Sequence, residues 1–298
     1  MYMTGFADEA ATGIEGQIRA TKTLGWKFIE SRNVDGKNLH DIPDEAFDKV
    51  CAGLQKAGVR VNCFGSAIAN WGKQITEPFD ASLAEARRAI PRMKRLGTKL
   101  VRIMSFAVLK GRGPDDQMHE ERFRRVQELY RMFTGEGLMP VHENCMNYGG
   151  MGWPYPLRLL ERVPGLKLVF DTGNPVGSED MARPEPRPRQ SAWEFYEHVR
   201  DHVAYVHIKD GVYDPVNGKV RFTFPGEGEG DVRRIVADLI GRGYEGGISI
   251  EPHMAVVHHD GSVKSPDELR FDTYVEYGRR MERMTEECRR AVPAGKGT

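Results

Sequence analysis

The sequence predicts a single (β/α)8 TIM barrel, and two features of the chain lead to that prediction. Short apolar segments alternate with amphipathic helical segments, eight of each, along the 298 residues, a pattern typical of a barrel or of a doubly wound sheet. Four of the apolar segments end in a residue type that binds metal ions, at Glu143, Asp171, His207 and Glu251. Because the active site of such a barrel lies at the carboxyl ends of its strands, we expect these side chains to meet at one rim.

The number and spacing of the strands favour the closed barrel over the doubly wound sheet. The four strand-end residues are separated by 28, 36 and 44 positions, close to the ~31 residues of one βα unit in a barrel of about 250 residues, with insertions in the last two units. No Gly-x-Gly-x-x-Gly motif follows the first strand, and the glycine-rich segment 225–231 follows a predicted hairpin instead. A dinucleotide-binding fold is therefore the weaker interpretation.

Each predicted strand is a short apolar run between turn-forming residues, and each predicted helix carries apolar residues at helical spacing. The strands are predicted at residues 5–10, 26–32, 59–67, 99–106, 138–145, 166–171, 203–211 and 246–253. The helices are predicted at residues 14–24, 43–57, 81–96, 117–134, 157–163, 191–202, 232–242 and 267–290. Pro91 lies inside the third helix and predicts either a kink there or two shorter helices.

Three segments complete the prediction of a single domain over residues 1–298. The segment 176–190 contains three prolines and follows a ligand-bearing strand, which predicts a mobile rim or lid loop beside the site. Residues 213–224 combine a DPVNG turn with the run KVRFTF and predict a hairpin excursion after strand seven. The charged helix 267–290 closes the chain and could also form an interface in a homo-oligomer.

The composition excludes several classes of protein. Lys plus Arg and Asp plus Glu both total 43, so the formal net charge is zero, and no basic run indicates a nucleic-acid partner. Nowhere do eighteen apolar residues run together, and the first residues lack the basic and apolar regions of a signal peptide. The four cysteines are scattered without zinc or disulfide spacing. We therefore expect a cytoplasmic protein that binds neither nucleic acid nor a membrane.

The four strand-end residues form a hard, mostly oxygen ligand set. Three carboxylates and one imidazole suit Mn²⁺, Mg²⁺ or Co²⁺, and Zn²⁺ is also feasible. Each residue alone has a plainer interpretation, since a strand-end Glu often forms a salt bridge and a His between apolar neighbours is usually a hydrogen-bonded core residue. Together they favour a metal site, because converging acids repel one another unless a cation holds them.

These residues stand in segments that resemble the sugar phosphate isomerase/epimerase superfamily, with its xylose isomerase-like TIM barrel. The segments are VHENC, VFDTGNP, VHIKDG, PGEGEGD and SIEPH, and the resemblance covers essentially the whole chain. It implies that Glu143, Asp171, His207 and Glu251 bind one divalent metal ion, with Mn²⁺ expected. It also implies that Glu143 and Glu251 act as the catalytic acid and base.

The resemblance implies an isomerase or epimerase that acts on a sugar, a keto-sugar or a related polyol. The expected reaction removes a proton next to a carbonyl and passes through a metal-stabilised enediolate. With a leaving group β to that carbanion, the same site would make the protein a metal-dependent lyase or dehydratase that eliminates from a keto-sugar, a keto-glycoside or a cyclitol. An abasic-site endonuclease is the weakest alternative, because the chain shows one clear metal set and no net charge.

One departure from the family pattern bears on the reaction. Ketose epimerases of this superfamily resemble D-x-x-H after strand six, whereas this chain has Asp171-Thr172-Gly173-Asn174. The Asn174 side chain can donate a hydrogen bond to a substrate hydroxyl but cannot carry a charge. The lyase alternative therefore stays open.

Five further residues are candidates for substrate contacts: Asn174, Lys209, His253, Glu30 and Trp153. By strict alternation His253 lies on the strand face of Glu251, which suits a substrate contact or a supporting role. Glu30 ends strand two and could meet a sugar hydroxyl, or pair with Arg32 or Arg102 instead.

Lys209 and Trp153 each have a functional and a structural interpretation. Lys209 shares a strand face with His207 and could hold an anionic substrate oxygen, or form an ion pair with Glu229 or Glu30. Trp153, like Trp71, lies in a predicted loop where its ring could cover the C–H surface of a sugar, or simply pack.

Overall fold

A computed structural model of the chain describes residues 1–257, 260–261, 263 and 265–291. Its centre is an eight-stranded parallel sheet in which β2 to β8 are neighbours in chain order and β8 pairs with β1. A parallel bridge between Phe6 and Glu30 joins the two ends of the sheet, so the predicted barrel is confirmed. Strands β1 to β8 span Tyr2–Gly5, Phe28–Ser31, Arg60–Phe64, Leu100–Ile103, Met139–Glu143, Lys167–Asp171, Val203–Ile208 and Gly247–Ile250.

Helices follow the strands and cover the outside of the barrel. Helices α1 to α8 span Ile14–Thr23, Asp44–Ala57, Asp80–Leu96, His119–Thr134, Pro154–Arg162, Ala192–Val199, Val232–Gly241 and Asp267–Ala291. Pro91 lies inside one continuous helix α3, so the first of the two predicted outcomes, a kink, stays a prediction, and the second, two shorter helices, was wrong. Pro91 lies on the exposed side of the helix, where water can bind the carbonyl that the proline leaves unpaired. In the described part of the chain, no helix is long and apolar enough to cross a membrane.

The first strand lies earlier in the chain than predicted. Tyr2–Gly5 pairs with β8, whereas Ala7–Glu9, inside the predicted strand, form a 3-10 turn. The carboxylates of Asp8 and Glu9 are buried there against Arg32, at 2.9 and 3.3 Å. The prediction failed because Arg32, which is distant in sequence, stabilises this acidic turn. The local sequence gives no indication of that contact.

The barrel interior supplies an apolar floor beneath the predicted site. In β5, β6 and β7, one residue of this floor stands two positions before the potential metal ligand at the end of the strand. Both side chains therefore lie on the inward face of the strand. The larger hydrophobic core lies separately, between the strands and the helices. The floor consists of Cys63, Val141, Val169 and Tyr205.

A hairpin follows β7, as predicted, with strands Asp210–Asp214 and Lys219–Thr223. Asp210 ties its base to the glycine-rich segment, because the Asp210 carboxylate accepts hydrogen bonds from the backbone N–H groups of Gly226, Gly228 and Gly230 at 2.8–3.1 Å. A Cβ on Gly228 or Gly230 would lie 2.4 or 2.9 Å from Asp210 Oδ1. The glycines of the segment are thus required by the close approach of this carboxylate.

We expect Asp210→Asn to lower the free energy of unfolding by about 1–3 kcal/mol, because an amide cannot accept all of these hydrogen bonds. Urea unfolding measures the loss. Asp214→Asn is the matched control, since Asp214 caps the exposed turn of the same hairpin and accepts from the Val216 N–H at 2.9 Å. We expect a smaller effect there, and equal losses in the two variants would contradict the anchoring role of Asp210.

Candidate active site

The carboxyl ends of four strands bring together Glu143, Asp171, His207 and Glu251. Glu143, Asp171 and His207 lie in β5, β6 and β7, and Glu251 directly follows β8. All four residues are at most 4% exposed. One potential ligand atom from each residue lies within 4.8 Å of the others. The structure therefore places the four side chains in one buried cluster at the rim.

The imidazole of His207 is held between two glutamates. His207 Nε2 lies 3.0 Å from Glu30 Oε2, and His207 Nδ1 lies 3.1 Å from Glu143 Oε1 and 3.9 Å from Asp171 Oδ2. Ser249 Oγ donates to Glu30 Oε2 at 2.6 Å and fixes that carboxylate. Burial lowers the pKa of His207, but Glu30 and Glu143 outweigh burial and raise it to about 10. Because Nε2 faces Glu30, Nδ1 is the nitrogen that faces the cluster.

Asp171 presents one oxygen to the cluster and uses the other within its own loop. Asp171 Oδ1 accepts from the backbone N–H groups of Gly173 and Asn174 at 2.8 and 2.7 Å. Oδ2 is buried and accepts no hydrogen bond, although Lys209 Nζ lies 3.1 Å away. Burial, only partly offset by Lys209, raises the pKa of Asp171 to about 6. Oδ2 is therefore the oxygen available to a ligand.

Each glutamate of the cluster is paired with its own arginine. Arg102 Nη1 lies 3.1 Å from Glu143 Oε2, and Arg32 Nη1 donates to Glu251 Oε1 at 2.6 Å. Burial would raise the pKa of Glu143, but Arg102 and His207 lower it to about 2. Both carboxylates thus keep one oxygen on a guanidinium and direct the other towards the cluster.

Lys209 completes the cluster, with partners other than those predicted. Lys209 Nζ lies 3.1 Å from Asp171 Oδ2 and 3.0 Å from Glu251 Oε2. The predicted ion pair of Lys209 with Glu229 or Glu30 was wrong, because Glu229 bonds to the backbone N–H of Tyr213 instead. Burial lowers the pKa of Lys209, and Asp171 and Glu251 reverse that effect and raise it.

A second layer of residues supports Glu251, and sequence analysis proposed a supporting role there for His253 but did not identify Asp8, Glu9 or Arg32. Arg32 Nε donates to Asp8 Oδ2 at 2.9 Å while the same guanidinium binds Glu251. His253 Nδ1 lies 2.8 Å from Glu9 Oε1, and His253 Nε2 lies 3.8 Å from Glu251 Oε1. One sequence signal could have revealed the role of Arg32. Alternation along the predicted second strand places Arg32 on the same face as Glu30.

A cavity of about 980 Å³ opens over the cluster, and it separates the predicted substrate residues into two groups. Asn174, Lys209 and His253 line the cavity. Glu30 does not, because it is fully buried behind His207. Trp153 does not either, because its ring stacks on His198 with centroids 3.9 Å apart. The structure therefore brings Asn174, Lys209 and His253 to the cavity and does not bring Glu30 or Trp153 there.

The segment 176–190 has no helix or strand, as predicted, and contains a single bridge between Glu179 and Arg189. Its first part reaches the cavity through Gly177 and Ser178. The arginines of the segment do not line the cavity. For example, Arg189 donates to the hydroxyl of Tyr213.

The balance of charge at this rim suits a divalent cation. Six buried carboxylates face three arginine and lysine side chains that pair with them and the protonated His207, so negative charge is still in excess before any ligand binds. Asp171 Oδ2 is buried without a hydrogen bond. A cation could also replace the proton of His207 Nδ1. The carboxylates are Asp8, Glu9, Glu30, Glu143, Asp171 and Glu251, and the cations are Arg32, Arg102 and Lys209.

Three solved structures show the similarity of fold. A xylose isomerase-like TIM barrel protein from Mycobacterium smegmatis, in complex with magnesium, has a TM-score of 0.68 at 17% identity, with 97% of each chain covered. D-allulose 3-epimerase from Methylomonas sp., in complex with D-allulose, has a TM-score of 0.66 at 16% identity, covering 95% of this chain and 97% of that one. The probable 3-DHS dehydratase of petrobactin synthesis from Bacillus anthracis has a TM-score of 0.67 at 13% identity, covering 95% and 99%.

The sequence comparisons assign the family. No curated protein gives a significant match to the chain. The family model described as xylose isomerase-like TIM barrel matches residues 18–289. This match runs from α1 to the last turns of α8 and includes all four residues of the buried cluster. The chain therefore belongs to the xylose isomerase-like TIM barrel family.

Proposed function

We propose that the protein is a divalent-metal-dependent isomerase or epimerase acting on a sugar, a keto-sugar or a related polyol. The observation that carries the proposal is that Glu143 and Glu251 line one cavity and belong to one ligand cluster. Such reactions need one group that removes a proton and one that returns it. The D-allulose 3-epimerase with the same fold supports this reaction class.

Glu143, Asp171, His207 and Glu251 would hold the ion, for which we propose Mn²⁺, with Mg²⁺, Co²⁺ or Zn²⁺ as alternatives. When bound, the ion supplies Lewis-acid polarisation of a substrate carbonyl. The magnesium complex of the Mycobacterium smegmatis protein supports a divalent ion in this fold. Glu30 keeps His207 in one orientation, as carboxylates commonly do for metal-binding histidines.

The protein's own side chains would move the proton. One of Glu143 and Glu251 accepts the proton from the carbon next to the carbonyl, and the other returns a proton to the substrate. Return to the opposite face of that carbon gives an epimer, and return to the neighbouring carbon converts an aldose and a ketose. Lys209 Nζ, between Asp171 and Glu251, can donate a hydrogen bond to a substrate oxygen.

A lyase or dehydratase is the second candidate, and the environment of Asn174 favours it. Asn174 Nδ2 lies 3.4 Å from Glu143 Oε1, at the position where ketose epimerases carry a histidine. An amide can orient Glu143 but cannot carry the charge of a protonated histidine, so the chain departs from the ketose epimerases at this position. The dehydratase with the same fold supports this candidate. Association through α8 and a cytoplasmic location stay predictions.

Asp171→Ala should weaken Mn²⁺ binding by at least about 10²-fold, because it removes a ligand oxygen that is otherwise without a hydrogen bond. Isothermal titration of the metal-free protein with Mn²⁺ measures the change, and circular dichroism checks the fold. Asp180→Ala is the control, since Asp180 is a buried acid that binds the backbone N–H of Ala182 outside the cluster. Unchanged Mn²⁺ affinity in Asp171→Ala would refute the metal site.

Glu143→Gln and Glu251→Gln should each lower turnover by about 10²–10⁴-fold and change substrate binding little, because the amide keeps the shape but cannot accept the proton. A panel of ketohexoses in D₂O, followed by NMR and mass spectrometry, provides the measurement. Exchange of the α-hydrogen without a change of product mass identifies an isomerase or epimerase. A dehydrated or cleaved product identifies a lyase, and turnover with the α-hydrogen retained contradicts both.

The lid role predicted for 176–190 can be tested by amide hydrogen exchange. We expect this segment to exchange faster than β6, because a single bridge between Glu179 and Arg189 is its only β-pairing, and to slow when Mn²⁺ and a polyol are added. The exposed turn 110–113, which does not line the cavity, provides a comparison that should not respond. Protection equal to that of β6, without a response to ligand, would exclude a lid.

A further inference from the structure

We propose that the protein has a second metal site, outside the active site, which is formed by His40, Asp41 and Glu85 and is suited to Zn²⁺. The three residues do not line the cavity, so this site is separate from the proposed reaction. His40 and Asp41 precede α2, and Glu85 lies in α3. One potential ligand atom from each residue lies within 4.8 Å of the others.

The side chain of His40 is the observation that points to a ligand. It is completely buried, and neither ring nitrogen forms a hydrogen bond within the described part of the chain. Burying an imidazole without partners costs free energy, and a metal ion bound to one nitrogen would offset that cost. His40 Nε2 lies 3.3 Å from Asp41 Oδ2. Two ligand atoms at ~2.0–2.1 Å from a tetrahedral Zn²⁺ lie about 3.3 Å apart, so this separation fits a shared ion.

The two carboxylates each have one oxygen held by a cation and a second oxygen left for a ligand. Lys73 Nζ lies 3.0 Å from Glu85 Oε1, and Glu85 Oε2 is buried without a hydrogen bond. Arg88 Nε donates to Asp41 Oδ1 at 3.0 Å, while Asp41 Oδ2 faces His40. Because Zn²⁺ accepts imidazole nitrogen and carboxylate oxygen, these three ligands and one water would complete a four-coordinate site.

An ion at this site would fix two parts of the cavity wall to the outer helix α3. His40 stands two residues after Asn38, which lines the cavity. Lys73, the partner of Glu85, donates to the carbonyl of Ala67 at 2.6 Å, and Ala67 also lines the cavity. The ion would be structural, because it would join segments that are distant in the unfolded chain and would therefore stabilise the folded state.

The test is isothermal titration of the metal-free, full-length protein with Zn²⁺. The Asp171→Ala variant serves as the background, because it weakens the active site and any residual binding there is common to all variants compared. Adding Glu85→Gln should weaken the remaining Zn²⁺ site by about 10²-fold and abolish the rise in Tm that Zn²⁺ causes in the background variant. Glu121→Gln is the matched control, since Glu121 is a helix glutamate that Arg125 holds at 2.6 Å outside the cluster.

Equal Zn²⁺ affinity in the Glu85→Gln and Glu121→Gln proteins would overturn the second site and leave His40 as a packed core residue. Circular dichroism checks the fold, and if Glu85→Gln does not fold, the exposed substitution Asp41→Asn decides in the same way. The proposed function is tested separately. If Asp171→Ala binds metal as tightly as the wild-type protein, the active-site proposal fails, while the comparison of Glu85→Gln with Glu121→Gln still decides the second site.

Discussion

Six acidic side chains are buried at the carboxyl end of the barrel, and cations built into the same layer stabilise them. Removing a charged group from water costs several kcal/mol even after the protein relaxes. Arg32 and Arg102 offset part of this cost, and both guanidinium groups lie over the ring of Phe6, at 4.4 and 5.2 Å from its centroid. The rest of the site depends on this arrangement, because removing either arginine would leave a buried glutamate with less compensation.

The same ion pairs organise the proposed chemistry. Arg102 holds Glu143 and Arg32 holds Glu251, so each carboxylate has one fixed oxygen and one oxygen directed into the cluster. Glu30 does the equivalent for His207 by occupying Nε2. A metal-binding and proton-transferring site needs such supporting contacts, since side chains that can rotate freely lose the geometry of the reaction. The barrel supplies these contacts from strands that are distant in sequence.

The cavity above the cluster is formed by the strand ends and by the loops that follow them. The strands position the charged groups, whereas the loops after them supply most of the cavity wall. Asp210 illustrates how this is achieved, because its carboxylate fixes the segment 225–231 and the base of the hairpin that presents Phe222 to the cavity. The charged cluster and the rest of the cavity wall are therefore built by different parts of one chain.

The sequence by itself determined the barrel, the positions of seven of its strands and the four strand-end residues of the cluster. These features follow from local periodicity, since strand alternation decides which side chains face inward and where a strand ends. The tertiary structure alone decided the first strand, the ion-pair partners of Lys209, and the positions of Glu30 behind His207 and Trp153 outside the cavity. The reason is the range of the contacts. Arg32 binds Asp8 and Glu251, 24 and 219 residues away, and only the closed barrel brings these residues together.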